Sequence, residues 1–364
     1  MEQTEMSPNR QPNLPSMRAA GLSLIELMIS LALSATLIIG VTTIYLDSSQ
    51  TSRLSNSLAR IQEAGRIATE IIARDVRMSG FQGCADPNSI SMTIIANNPP
   101  TADFFQTSLR GWEVNSGTWA DGTEFDDESI EGNAVLGSDV ISIQRGEIVP
   151  ISLTGNMTAT NANIQVAGQL ALFDQNDIVL ISDCENADLF RISSNPESGT
   201  WAHANNVNSG NRLSQAYNDT ARIMRFSSTA YFVADTGRDD ARGNAVFALY
   251  RQRETNAGGS FTVDELVEGI ESMQVLYGER LASDNIRYVP ADTAGLDMAR
   301  VVAVKLGFLI SSPESVQDGT DQLSYNLPGE TVAPAGTAGA TVFHPVDSRI
   351  RRTFESTINI RNRN

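Results

Sequence analysis

The sequence predicts an α+β fold: a long N-terminal helix, transmembrane in its first half, packed on an antiparallel β-rich C-terminal head. Three observations lead there. Residues 22–45 are apolar except for one charge, Glu26. From residue 46 to about 78, apolar residues recur at three- and four-residue steps, the period of a helix with one buried face. Beyond Gly80, short alternating runs of β-branched and aromatic residues are separated by stretches rich in Gly, Pro, Asn, Thr and Ser.

The apolar run Leu22–Tyr45, at 1.5 Å per residue, reaches roughly 36 Å and can cross a hydrocarbon core of ~30 Å. Arg10 and Arg18 precede it and favour a cytoplasmic N-terminus. A secretory signal fits poorly, because its apolar region is usually about 7–15 residues and ends at a small-residue cleavage site. A plain anchor explains the length but not Glu26, since a carboxylate at mid-membrane costs about 2.5–3.5 kcal/mol, less where it can snorkel at the end. Cleavage after Gly21 explains both features. Leu22 would gain a free amine, and Glu26 would lie one turn along on the same face. A first-turn carboxylate is favoured by the helix dipole and by that amine, and it can also reach the amine of a neighbouring subunit.

The amphipathic half places Leu54, Leu58, Ile61, Ala64 or Gly65, Ala68, Ile71 or Ile72 and Val76 on one stripe. Glu70 and Arg74 form a favourable i,i+4 pair. Ser79-Gly80 is the expected end, with Gly80 just past the helix. One helix from Leu22 to about Met78 is expected; the alternative is a break near Asp47–Thr51. In the head, residues 139–145, 177–182, 188–193, 221–234, 245–251, 273–277, 301–311 and 353–360 read as strands. Residues 221–234 and 245–251 read as a hairpin around Asp235-Thr-Gly-Arg-Asp-Asp. Val302, Val304, Leu306, Phe308 and Ile310 form one apolar face, and Phe354, Ile358 and Ile360 another. Segments 95–133 and 312–347 read as surface loops.

The 364 residues carry a formal charge of −17. The leader is neutral, the span contributes Glu26, and residues 46–78 hold five Arg against four acids, which leaves −17 on residues 79–364. A head that acidic repels phosphate backbones and disfavours nucleic acid as a partner. Two cysteines are present, Cys84 and Cys184. With an extracytoplasmic head they are expected to pair and close a loop of about 100 residues; the alternative is two separate buried thiols.

Gly21 followed by Leu22-Ser-Leu-Ile-Glu26-Leu and some twenty apolar residues resembles the class III signal of type IV pilins and type II secretion pseudopilins. The resemblance implies a prepilin peptidase that cuts after Gly21 and methylates Leu22, and a role for Glu26 in assembly. Leu22 stands where the family usually has Phe. Met17-Arg-Ala-Ala-Gly21 would be a complete short leader, so either Met1 or Met17 is the expected start. Further along, Ser79-Gly-Phe-Gln-Gly-Cys84, Ile181-Ser-Asp-Cys184, Tyr231-Phe-Val-Ala-Asp-Thr-Gly-Arg238, Leu249-Tyr-Arg251, Glu265-Leu-Val-Glu-Gly-Ile-Glu-Ser-Met-Gln-Val-Leu-Tyr-Gly278, Tyr288-Val-Pro-Ala-Asp292 and Arg361-Asn-Arg363 resemble the large minor pilins called PilW. That resemblance implies a leader (1–21), a transmembrane assembly helix (22–45), its amphipathic continuation (46–78) and an extracytoplasmic head (79–364). It also implies other minor pilins and the major pilin as partners, a priming complex at the pilus tip, a tip adhesin as a further partner, and an inner-membrane location before assembly.

Catalytic signals are weak. His203 and His344 are the only histidines, and there is no C-x-x-C, H-E-x-x-H, P-loop or G-x-S-x-G. No catalytic residue, metal site or cofactor is therefore expected. Asp235-Thr-Gly237 looks like an aspartic-protease triplet, but that chemistry needs a second carboxylate sharing the proton, and turn chemistry explains the triplet better. The acidic run Asp121–Glu131 offers oxygens to calcium without EF-hand spacing, and Asp318-Gly-Thr-Asp321 does so more weakly. Trp112, Trp119 and Trp201 fall in predicted loops, as anchors for a partner or as packing beneath the loops.

Overall fold

The structure, a computed structural model, describes residues 21, 23–84, 92–98, 104, 108–115, 130, 132–155, 163–255, 260–361 and 363. The chain divides into two units, Met1–Arg53 and Leu54–Asn364. Residues 1–20, Leu22, Trp119 and all of the acidic run 121–131 except Ile130 lie outside the described residues.

In the first unit, helix α1 (Leu24–Arg77) begins and residues 23–48 are all exposed. The hydroxyls of Ser30, Thr36, Thr42 and Thr43 donate to the carbonyls of Glu26, Ala32, Ile38 and Ile39 at 2.6–2.9 Å. These polar letters in the apolar run are thus satisfied within the helix, as a lipid setting requires. No break occurs at Asp47–Thr51, where Thr51 Oγ1 donates to the Asp47 carbonyl.

In the second unit the buried stripe of α1 is Ser57, Ile61, Gly65, Ala68, Ile72, Ala73, Asp75 and Val76. It starts later than the pattern suggests, because Leu54 is exposed. Short bonds from Met78 N to Asp75 O and from Ser79 N to Val76 O tighten the last turn, and Gly80 follows with φ +71°.

The first strands are β1 (Met92–Ile94), β2 (Leu109–Glu113), β3 (Asp139–Ile148), β4 (Ile151–Leu153) and β5 (Asn163–Gly168). Next come β6 (Ile178–Ser182), β7 (Ala187–Arg191), β8 (Thr200–Ala202), β9 (Arg222–Asp239), β10 (Ala245–Thr255) and β11 (Ser260–Glu268). The last are β12 (Ile270–Arg280), β13 (Ile286–Val289), β14 (Val301–Ser311), β15 (Tyr325–Leu327), β16 (Glu330–Pro334), β17 (Val342–His344) and β18 (Arg351–Asn359).

One sheet runs β1-β7-β6-β9-β10-β11, with β3 also on β9 and β2 on β3; a second runs β13-β12-β14-β18. Two small sheets, β4-β5-β8 and β15-β16-β17, are added. Pairing is antiparallel except for β1 with β7 and β16 with β17. The chain passes from the first large sheet to the second at Gly269, whose φ is +88° and whose absent Cβ would stand 2.9 Å from the Ser311 carbonyl. Only glycine fits there without strain.

The main core forms where α1 meets both large sheets. Ile61, Ala68, Ile72 and Val76 cluster with Ile141, Ile143, Tyr231, Val233 and Leu249 of the first and with Met273, Val275, Val304, Leu306, Phe308 and Ile358 of the second. The apolar face expected of β14 is buried, and Leu309 on its other side joins a separate cluster with Leu327, Val332 and Val342. Gly65 lets α1 approach β18 closely: a Cβ there would stand 2.6 Å from the Phe354 ring.

Three expectations are corrected. The segment 95–133 contains β2, which pairs with β3, and 312–347 contains β15 to β17. The hairpin turn lies at 240–244, where Asp240 Oδ1 accepts from the N–H of Arg242 and Asn244. Asp235-Thr-Gly237 sits inside β9 at a register irregularity opposite β10, so its turn chemistry makes a bulge.

Candidate functional site

The first turn of α1 carries the residues that the sequence singles out. Gly21 is exposed, with nothing within 4 Å of the position its Cβ would take. Leu22, the other residue of the expected cleavage site, lies outside the described residues. The Ser23 N–H donates to Glu26 Oε2 at 3.0 Å, and Leu27 N donates to the Ser23 carbonyl. Ser23 is therefore the N-cap, and Glu26 at N3 reaches back to it, one half of a capping box. The carboxylate is folded towards the helix start, one residue from the peptide bond that cleavage would break. The sequence pointed to charge at this position but missed the cap.

Behind that turn, Leu24, Ile25, Met28, Leu33, Leu37 and Ile39 are each more than 60% exposed. The helix is long and apolar enough to cross a membrane. So large an apolar surface marks a site for lipid or for other helices.

The end of α1 is tied to the head by polar contacts. Tyr231 Oη donates to Asp75 Oδ2 at 2.6 Å, and Arg145 pairs with Asp75 Oδ1 at 3.2 Å. Gly80 N donates to the Gln144 carbonyl, Gly146 N to that of Phe81, and Arg361 N to that of Arg77. Cys84 and Cys184 form a disulfide, with Cα atoms 4.9 Å apart, joining the helix exit to the turn between β6 and β7.

Two buried polar clusters escaped the sequence reading. Arg349 and Arg351 are buried beside Glu271, Asp321 and Asp347. Asp321, a weak calcium candidate by sequence, is an ion-pair partner of Arg351. Asp139 and Glu113 are hydrogen-bonded to each other; Asp139 also accepts from Val275 N at 2.6 Å, and Glu113 from Ala291 N at 3.0 Å. Burial, then the charge of Glu113, hold Asp139 well above the usual carboxylate range, and burial raises Glu113. No signal in the sequence joins residues 26 positions apart in this way.

The Asp139 pair has a testable pH signature. A carboxyl raised in the folded state binds its proton more tightly there than in the unfolded chain. Its contribution is complete below the ordinary carboxylate range and is lost as pH rises through the folded value. Asp139→Asn keeps an acceptor for Val275 and a donor for Glu113 but cannot ionise. The variant should match the wild type in unfolding midpoint near pH 4 and exceed it increasingly towards pH 8. Parallel midpoints across that range would remove the shared proton.

The remaining candidates are structural. His203 is buried against Phe190, with centroids 5.4 Å apart, and burial lowers its pKa. The ring nitrogens of His344 lie 2.8 Å from the carbonyls of Pro345 and Leu323. Trp201, expected in a loop, is on β8, fully buried, 4.9 Å from the Phe173 ring, and donates to the Pro196 carbonyl. Trp112 lies half-buried on β2. Among the described residues, no group of three or more His, Cys, Asp or Glu gathers to hold a metal.

Residues 230–362 match the family model PilW, Type IV Pilus-assembly protein W. Among solved structures, the type IV-like pilin TTHA1219 from Thermus thermophilus is similar at 18% identity, covering 38% of this chain and 78% of that one, with a TM-score of 0.20. No curated protein matches the chain. The matched segment begins within β9 and takes in the Gly269 crossover and the Arg349–Arg351 cluster. Over residues 230–362 the chain is PilW-like, and it joins that segment to one long apolar N-terminal helix.

Proposed function

We propose that the chain is a minor pilin of the type IV pilus kind, cut after Gly21 and held in the inner membrane by residues 22–45 until it is assembled. Its work is assembly rather than catalysis. A prepilin peptidase processes it, other minor pilins and the major pilin pack against its helix, and the head takes part in a priming complex at the fibre tip. The observation that carries this reading is the exposed apolar start of α1, with Glu26 folded back on its first turn, on a chain whose residues 230–362 are PilW-like. After cleavage the Leu22 amine would appear beside that carboxylate, and the pair would neutralise each other or bridge two subunits in lipid.

Glu26→Gln separates charge from capping, because the amide oxygen can still accept from Ser23. Glu26→Gln and Glu26→Ala should both be processed normally, as read from the mass of the mature chain, yet both should impair piliation. Normal piliation in Glu26→Gln would remove the charge role and leave only the cap. Replacing Gly21 by a bulkier residue should leave the leader attached. An intact residue 1–21 segment in the wild-type protein would favour a tethered adhesin that never polymerises. A secretion defect with normal pili would favour a type II secretion pseudopilin.

A further inference from the structure

A trough of arginines lies on the strand face beside the last turns of α1. One cavity of about 470 Å³ is walled by Arg74, Arg145, Arg225, Arg251 and Arg253, with Ser227, Thr229 and Thr262 between them. A second, of about 490 Å³, shares Arg74, Arg145 and Glu147 with the first and adds Arg77 and Arg361. Their combined walls hold eight arginines against four carboxylates, on a chain of net charge −17.

Strand register builds this face. Arg145 stands opposite Ser227, Arg253 opposite Thr229, and Arg251 opposite Tyr231, the tyrosine that bonds Asp75 of α1. Alternation along β9 and β10 therefore sets these guanidiniums on one side. The protein fills them incompletely. Arg251 and Arg253 share a single oxygen, Asp264 Oδ2, at 3.0 Å each. The Nε–H groups of Arg225 and Arg251 are buried with no partner among the described residues. Arg253 is about half exposed, and Arg74 is exposed. Arg191 differs: it is spent on the carbonyls of Asn97, Asn98 and Asn176 and serves as a support.

We propose that this trough docks an acidic segment of a partner protein, with carboxylates seated on Arg74, Arg251 and Arg253, while Arg145 keeps its pair with Asp75. The guanidinium fork matches a carboxylate in a bidentate way. Two cavities that share wall residues suit an extended segment with several acidic side chains better than one isolated ion. Glu70 and Glu147 in the walls can accept N–H groups that a peptide offers and a phosphate does not. The acidic head around the trough repels long polyanions and anionic bilayers at a distance, whereas a short acidic segment meets only the local positive field. This inference is independent of leader cleavage and of polymerisation.

Fluorescence anisotropy of the full-length protein in non-ionic detergent tests it, with dye-labelled hexaglutamate and hexaglutamine peptides as probes. Hexaglutamate should bind, hexaglutamine should not, and affinity should fall as salt rises through the range that shortens the Debye length below about 10 Å. The double variant Arg74→Gln, Arg253→Gln should weaken binding by roughly tenfold or more. A variant with Arg212→Gln and Arg242→Gln, which removes the same charge from exposed positions elsewhere, should stay within about twofold. Matching thermal unfolding of the two variants shows that folding is not the cause. Equal loss in both variants, or hexaglutamate affinity unchanged by Arg74→Gln, Arg253→Gln, overturns the proposal. Arginine-dependent binding of inorganic phosphate or of phosphatidylglycerol vesicles without hexaglutamate binding also overturns it.

Discussion

Replacing Arg351 by Ala is expected to lower the stability of the head by about 3–5 kcal/mol, the range seen when one partner of a buried ion pair is removed. Arg351 is fully buried. Its Nε and Nη2 take both oxygens of Glu271 at 2.6 and 3.0 Å, and its Nη1 reaches Asp321 at 3.2 Å and Asp347 at 3.0 Å. Burial alone would lower its pKa, but Glu271 and Asp347 overcome that and raise it, so the charge is permanent. Without it, three carboxylates stay buried with only Arg349 nearby, which pairs with Asp347 at 2.8 Å and lies 4.0 Å from Glu271. Asp347, which Arg351 holds below the usual carboxylate range against burial, would lose that hold and take up a proton more readily as pH falls. The loss should therefore be largest near pH 8 and smaller near pH 4. Arg352→Ala, next in sequence but exposed, should stay within about 0.5 kcal/mol. Denaturant midpoints followed by Trp201 fluorescence would report both; a loss below about 1 kcal/mol for Arg351→Ala would mean that water reaches the cluster.

That cluster also explains where the sequence was legible. The helix was readable because its signal is local and repeated: an apolar run, then a stripe with helical period. The face of β14 was readable because Val302 to Ile310 alternate without interruption. The small sheet β15-β16-β17 was not, because its segment is rich in Gly, Pro, Asn and Thr and its order comes from distant partners. Asp321 within it meets Arg351, and Tyr325 Oη donates to Asp321 at 2.9 Å. The turn between β9 and β10 was misplaced by five residues, since Asp235-Thr-Gly237 has the composition of a turn and the geometry of a bulge. Nothing in the sequence joins Glu113, in a segment read as a loop, to Asp139, at the start of a predicted strand; the packing of β2 and β3 against β12 buries Asp139 and half-buries Glu113. At the N-terminus the residue types single out Glu26 as a candidate, and the fold adds the Ser23 N–H that its carboxylate accepts.

Removing the disulfide should have an effect of similar size, and for a different reason. Cys84 and Cys184 are 100 residues apart, and closing a loop of that length in the unfolded chain is worth about 4.7 kcal/mol in the chain-entropy model. The loop holds β1 to β6, and its product is the ladder in which β3 and β6 both pair with β9. β9 lies outside the loop, so the bridge does not substitute for any of these pairings. It limits how far their partners can separate when the head is unfolded. The folded ends remain close without the bond, because Ser79 Oγ donates to the Ser108 carbonyl, Gly80 N to that of Gln144, and Gly146 N to that of Phe81. Native geometry should therefore survive in Cys84→Ser, Cys184→Ser, while stability falls by about 2–5 kcal/mol. The expected signature is a lower denaturant midpoint with a native near-ultraviolet spectrum, and the wild type under reducing conditions should reproduce it. Because a reduced chain unfolds to a looser ensemble, the slope of the transition should rise together with the shift in midpoint. A midpoint that does not move would show that the helix exit and the β6–β7 turn already restrain the unfolded chain. A lost native spectrum would show that the bond itself positions the helix exit, which would make Cys84 part of the junction between α1 and the head.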